Sequence, residues 1–189
     1  MKCVFRKLLG SICLGVLVST LGTQAQTDTF LDLGKDIPGE SLAQGHAGQA
    51  DVLSWSMGLT NSSTTHPTNG AGGAGRVNFQ DLRLTKWVDK SSPKLMLLCA
   101  SGGHISQVIL TVVKPRRDAA PYNFITITLT DVLVSSISTG TSAGAGQQTE
   151  NLTLDFGKVK YEYTPLKADG TLDTIGLMGW DIRANLPTK

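Results

Sequence analysis

Residues 122–165 read YNFITITLTDVLVSSISTGTSAGAGQQTENLTLDFGKVKYEYTP, and this stretch decides the fold. Two runs in it alternate apolar and polar residues and are rich in β-branched side chains, which is typical of pleated strands. The glycine-rich residues 140–148 between them cannot pack a core of their own and indicate a turn. The stretch therefore predicts a long antiparallel hairpin.

Each predicted strand has an apolar face. The first places four aliphatic residues on one face: Ile125, Ile127, Leu129 and Leu133. Val132 and Val134 fall on the other. The second places Leu152, Leu154 and Phe156 on one face before the phase slips at Gly157 to Val159, Tyr161 and Tyr163. A glycine at a phase slip predicts a β-bulge.

The residue pattern of this hairpin resembles the haemolysin-coregulated protein (Hcp) family, the tube proteins of bacterial type VI secretion. The matching positions are Asp131, Val132, Val134, Ser135, Ser136, Glu150, Leu152, Leu154, Phe156, Lys158, Val159, Tyr161 and Pro165. Similar segments elsewhere are the Ile-x-Gly-Glu-Ser turn at 37–41 followed by His46, the Ser-Pro pair at 92–93, and Gly179-Trp180-Asp181. The resemblance covers nearly all of residues 29–185.

This resemblance implies a mainly β fold, an Hcp-like β-barrel of two antiparallel sheets with one flanking α-helix. It also implies a homo-hexameric ring, stacking of rings into a tube, effector proteins in the lumen and contact with other secretion-system components. A polar, glycine-rich loop would reach a neighbouring ring. The candidate stacking residues in that loop are Asn61, His66, Asn69, Gly70 and Gly75.

The remaining elements are predicted from the residues themselves. Ser92 is a good N-cap, Pro93 suits the first helical position, and Gly102 with Gly103 ends the helix. Leu95, Leu98 and Cys99 share the face that packs on the sheet. Five further strands are expected at residues 30–33, 51–60, 77–88, 107–113 and 178–184, the last closing the sheet. Within 51–60, Leu53, Trp55, Met57 and Leu59 should share a face, and a bulge is expected near Gln80 and Asp81.

Residues 1–25 have the composition of a secretory signal peptide. Lys2, Arg6 and Lys7 precede an apolar run, and small residues then offer a cleavage site before Gln26. Seventeen Lys and Arg minus these three leaves 14 against 15 Asp and Glu, so the mature net charge is about −1. We expect a single domain over residues 26–189, located in the periplasm or outside the cell, without membrane insertion after cleavage.

No motif predicts an enzyme or a cofactor. The three histidines are isolated, Cys99 stands alone after signal removal, and the Gly70-x-Gly72-x-x-Gly75 pattern lacks the strand and helix that a dinucleotide site needs. Asp131 and Asp155 could face each other across the hairpin, but solvent-facing or bulge-capping roles fit better. Lys114, Arg116 and Arg117 form the one basic cluster, which fits a solvated turn better than a nucleic-acid site.

Two functional hypotheses follow from different classes of protein. The first is a structural protein whose hexameric rings stack into a type VI secretion tube for effector delivery. The second is a secreted Hcp-like binding or effector protein that keeps the fold without tube assembly. The second is kept because tube proteins of this family are assembled in the cytoplasm without a cleavable signal.

Overall fold

The chain forms five strands, one helix and then five more strands over the residues that the structure describes. The computed structural model describes residues 27–62, 76–116, 119–140, 146–173 and 176–188. The elements are β1 (Asp28–Asp32), β2 (Ala50–Ser56), β3 (Leu59–Asn61), β4 (Val77–Phe79), β5 (Leu82–Trp87), α1 (Ser92–Ser101), β6 (His104–Lys114), β7 (Tyr122–Gly140), β8 (Thr149–Tyr163), β9 (Gly176–Asp181) and β10 (Leu186–Pro187).

Six antiparallel strands close into a barrel in the order β8-β5-β2-β1-β6-β7, with β7 pairing back to β8. This confirms the predicted β-barrel with one helix, and β3 and β4 form a separate two-stranded sheet. The pairing of β7 with β8 closes the barrel, so the prediction that the last strand does so is wrong. β9 instead pairs with the second half of β8, while β5 pairs with the first half.

The predicted hairpin is β7 and β8, but its bulge lies elsewhere. The register shifts between Val134 and Ser136, so Ser135 is the bulged residue and the prediction of a bulge at Gly157 is wrong. The phase slip at Gly157 is present. Asp131 of β7 lies opposite Gly157 of β8, and the inward-facing side changes in both strands at this position. The residue pairs before and after it therefore keep the same register.

The slip in β7 comes from the backbone of Asp131, which has a φ of 56°. This left-handed conformation is tolerated by Asp and Asn better than by most residues, and it breaks the alternation of the strand. The buried residues are Ile127 and Leu129 before Asp131, then Val132 and Val134 after it. The prediction that Leu133 shares a face with Ile127 is therefore wrong.

A second irregularity corrects the prediction for β2. Its pairing with β5 shifts between Val52 and Ser54, so Val52 is buried while Leu53 is exposed. Trp55 then packs on the core, and the predicted common face of Leu53 and Trp55 does not exist. The prediction of a bulge at Gln80 and Asp81 within one strand is wrong, because the chain breaks there into β4 and β5, which belong to different sheets.

The helix flanks the barrel with Leu95 fully buried in the core. Leu98 and Cys99 pack against the same core from half-buried positions, as predicted. The N-cap is Ser91 and makes no side-chain capping bond, so the prediction of Ser92 is one residue late. Gly102 ends the helix with a φ of 67°, a conformation that costs glycine little.

Candidate assembly and binding surfaces

The ribbon of β3 and β4 carries the segment in which the candidate stacking residues lie. Asn61 pairs with Val77 at the end of the described ribbon, and all three residues of β3 are exposed. The other four predicted stacking residues, His66, Asn69, Gly70 and Gly75, lie outside the described residues. The structure therefore places one of the five predicted residues, at the exposed end of the ribbon.

The base of this ribbon is fixed to the barrel. Phe79 of β4 packs edge-to-face on Phe156 with 6.3 Å between ring centroids. The Gln80 amide donates to the carbonyl of Gly58, and a Cβ at Gly58 would come within 2.8 Å of the Gln80 side chain. The tight packing at the base sets the direction in which the exposed end of the ribbon points.

The outer face of the β7–β8 hairpin is polar. Thr126, Thr128 and Thr130 alternate with the buried Ile127 and Leu129, and they pair with Glu162, Lys160 and Lys158 of β8. Lys160 forms an ion pair with Glu162 at 3.1 Å. A face of short hydroxyl and charged side chains can meet water or another subunit without exposing a large apolar patch.

A buried ionic network joins the helix start to the hairpin. Lys86 Nζ lies 2.8 Å from both Asp89 Oδ1 and Glu150 Oε1. Ser92 Oγ donates to the same Glu150 oxygen at 2.9 Å, whereas Glu150 Oε2 is buried without a described hydrogen-bond partner. The sequence reasoning missed this network. The sequence feature that could have revealed it is an acidic residue, Glu150, on the same strand face as the buried Leu152 and Leu154.

A second polar cluster forms around Asp131. His104 Nδ1 lies 2.7 Å from Asp131 Oδ1, and Arg183 Nη2 lies 2.6 Å from Oδ2. The hydrogen bond from His104 holds the pKa of the Asp131 carboxyl below its usual value, and the Arg183 charge adds to the effect. The Ile182 amide donates to the carbonyl of Gly157. The cluster therefore fastens the turn after β9 to the kink in the hairpin.

The predicted basic turn packs on aromatic rings. Lys114 Nζ lies 3.3 Å from the centroid of Phe124, and the Arg116 guanidinium lies 5.9 Å from that of Tyr122. Contacts of this kind are worth about 0.5–1 kcal/mol at exposed sites. Arg117 lies outside the described residues. Lys114 and Arg116 thus stabilise the start of β7, in addition to lying in or beside a solvated turn.

Of the candidate residues for chemistry, His104 and Asp131 contact each other, whereas Asp155 and His46 lie elsewhere. Asp131 lies opposite Gly157 whereas Asp155 pairs with Leu133, so the two carboxylates are not cross-strand partners. His46 stacks on Phe30 at 4.2 Å and bonds Gln49 through Nδ1. Within the described ranges, no three His, Cys, Asp or Glu residues come together as a metal-binding group.

The described part of the chain contains no helix with the length and apolar character that crossing a bilayer requires.

Comparison with known proteins gives one consistent result. Residues 30–163 match the family model described as type VI secretion system effector, Hcp. The chain is 47% identical over 160 residues to the protein hcp1 of Pseudomonas aeruginosa, covering 84% of this chain and 97% of the relative.

Solved structures agree with this match. A structure of a type six secretion system protein superposes with a TM-score of 0.78 at 27% identity, covering 86% of this chain and all of the other. The structure of Hcp1 from Salmonella typhimurium superposes with a TM-score of 0.68 at 32% identity, covering 87% of this chain and all of the other.

Proposed function

The chain belongs to the Hcp family of type VI secretion, and from that membership we propose that it forms hexameric rings that stack into a tube for effector delivery. The match over residues 30–163 and the 97% coverage of an Hcp1 relative carry this proposal. The role is structural, with copies of the chain itself as the main partner. Effector proteins in the lumen and other secretion-system components are the further partners.

The outer faces of the barrel support a ring. A ring needs a heterologous interface, in which two different patches of the same chain meet and the rotation closes. Short polar side chains lie on the outer faces of β7, β8 and β2, of which Thr126, Thr153 and Ser54 are examples. Such faces allow close approach of a neighbouring subunit while a free subunit stays soluble.

The ribbon of β3 and β4 supports stacking. Its base is packed on Phe156 and its end at Asn61 is exposed. In this proposal Asn61, His66, Asn69, Gly70 and Gly75 contact the next ring. A fixed base lowers the entropy that the ribbon loses when it meets a partner.

The assembly is tested by light scattering of the purified chain over a series of concentrations, together with electron microscopy. The expected result is a hexamer at low concentration and stacked rings at high concentration. A strict monomer at every concentration would overturn the ring and the tube together.

The composition of residues 1–25 favours one alternative function. A basic start, an apolar run and small residues at 23–25 are typical of an export signal, and we propose that the protein is secreted to the periplasm or the medium. An exported chain that remains monomeric would be a secreted Hcp-like binding or effector protein. The oligomeric state of the mature protein distinguishes the two functions.

A further inference from the structure

The edge of β6 that faces away from β7 is only partly covered. β1 pairs with residues 109–113 of β6, from Asp32 opposite Ile109 to Asp28 opposite Val113. Residues 104–108 of β6 pair with β7 on the other side, and no described strand pairs with them on this side. An uncovered strand edge offers backbone N–H and C=O groups to another extended chain.

A turn after β1 keeps this edge open. Gly34 has a φ of 85°, and its amide is held by Asp32 Oδ1 at 2.8 Å. The Ile37 amide then donates to the Gly34 carbonyl at 3.2 Å. These bonds bend the chain away from β6 immediately after the last pair. The open edge is therefore set by a hydrogen-bonded turn and a glycine suited to it.

The open edge forms one side of a groove of about 720 Å³. The turn at residues 34–37 forms one wall, and Lys94 and Leu98 of α1 form the other. The volume falls in the range of natural ligand sites, which is about 300–1,000 Å³. A strand rises about 3.3 Å per residue, so five extended residues would follow the edge from His104 to Val108.

The side chains of the groove indicate which peptide it would accept. Leu98 and Ile109 are half-buried and offer apolar contact. Lys35 and Lys94 are exposed on opposite walls, and neither forms an ion pair with a described carboxylate. Asp32 and Asp36 also line the groove on the side of β1, so the unbalanced positive charge lies on the helix side, at Lys94. An apolar residue next to an acidic residue fits this arrangement.

We propose that this groove binds an extended peptide segment of a partner protein. The segment adds to residues 104–108 of β6 as an antiparallel strand in line with β1. Its apolar side chain packs on Leu98 and Ile109, and an acidic side chain lies beside Lys94. The binding needs no ring, so its test is independent of the assembly proposed above.

The probe is a capped pentapeptide with the sequence of β1, Asp-Thr-Phe-Leu-Asp, because β1 already pairs with the other half of β6. Binding to the purified full chain is measured by calorimetry, and amide hydrogen exchange locates it. Saturating peptide should slow exchange within residues 104–108. No binding at millimolar peptide, or protection elsewhere, overturns the proposal. Protection of these amides that rises with protein concentration alone assigns the edge to a second copy and also overturns it.

Two modified peptides test whether binding depends on backbone hydrogen bonds or on side-chain contacts alone. One is N-methylated at its first, third and fifth residues and the other at its second and fourth. Alternate residues of a strand face one neighbour, so one modified peptide should lose binding and the other should keep it. Equal binding of both overturns strand addition.

Charge reversal at Lys94 tests the acidic preference. Lys94→Glu should weaken peptide binding several-fold. Lys90→Glu is the matched control, because Lys90 is equally exposed and does not line the groove. Equal binding by both variants overturns the choice of an acidic peptide.

Discussion

Lys86 Nζ lies 2.8 Å from Glu150 Oε1, and both side chains are fully buried. The two residues are on neighbouring strands, and Ser92 ties Glu150 to the start of the helix. A buried charge that loses its partner keeps its desolvation cost without the compensating attraction. The pair therefore joins β5, β8 and α1, and a single substitution of either residue should destabilise the protein strongly.

Lys86→Met should lower the free energy of unfolding by about 3–5 kcal/mol, the cost of breaking a buried ion pair. The measurement is chemical denaturation of the variant and the wild type. Lys90→Met is the control at an exposed site, where a change within about 0.5 kcal/mol is expected. Adding Glu150→Gln to Lys86→Met should recover part of the loss. A single-variant loss below about 1 kcal/mol would contradict this account.

Leu95→Ala should destabilise the protein by about 2–5 kcal/mol, because Leu95 is fully buried in the barrel core. Leu97 provides a matched control on the same helix, since its side chain is 58% exposed. Leu97→Ala should change the denaturation midpoint little. Equal effects of the two substitutions would show that the helix does not pack on the core through Leu95.

Asp131→Asn should reduce the loss of stability in acid. A carboxyl whose pKa is lowered by folding contributes stability above its unfolded pKa of about 3.9, and that stability disappears as pH falls through the folded pKa. Asn retains the left-handed backbone but cannot ionise. The melting temperature should therefore fall less between pH 5 and pH 2 than in the wild type. Asp51→Asn, at an exposed residue of β2, is the control, and identical profiles for Asp131→Asn and the wild type would contradict the prediction.

Periodicity predicted most of the strands and the hairpin, and the start and stop residues Ser92, Pro93 and Gly102 predicted the helix. It could not predict where the faces change, because the change at Asp131 depends on one backbone angle within a run of β-branched residues. Leu133 was assigned to the wrong face for this reason, and Leu53 because β2 shifts register against β5 between Val52 and Ser54. A slip at Gly157 was visible only because glycine is rare inside a strand.

The polar clusters depend on contacts that are distant in sequence. Lys86 and Glu150 meet because β5 pairs with β8, and Arg183 reaches Asp131 through the turn after β9. No local sequence pattern predicts such pairings. The candidate stacking residues were placed by resemblance to a family and stay a prediction, and Asn61 is the one among them that the structure describes.

Export should leave a mature chain that begins at or near Gln26. The basic, apolar and small residues of 1–25 occur in the order that a signal peptidase recognises. N-terminal sequencing of the native protein from periplasm or medium is the measurement. A cytoplasmic pool with Met1 intact would contradict export and favour assembly inside the cell.

Stacking between rings should depend on the segment that joins β3 to β4. Ordering a chain costs about 1–2 kcal/mol per residue in backbone entropy. Residues 61–75 contain few apolar side chains to offset that cost, and 70–75 are all glycine or alanine. Rings should therefore form readily but stack only at high concentration or with a partner.

Replacing residues 62–76 with Asn-Gly tests this directly. Asn61 and Val77 are already paired, and Asn-Gly closes two-residue hairpins. The shortened variant should remain a hexamer by light scattering and form no filaments at concentrations where the wild type stacks. A scrambled segment of the same length and composition separates sequence from length, because only specific contacts are lost in it. Filaments from the shortened variant, or long wild-type filaments at low concentration, would show that other surfaces hold the rings together.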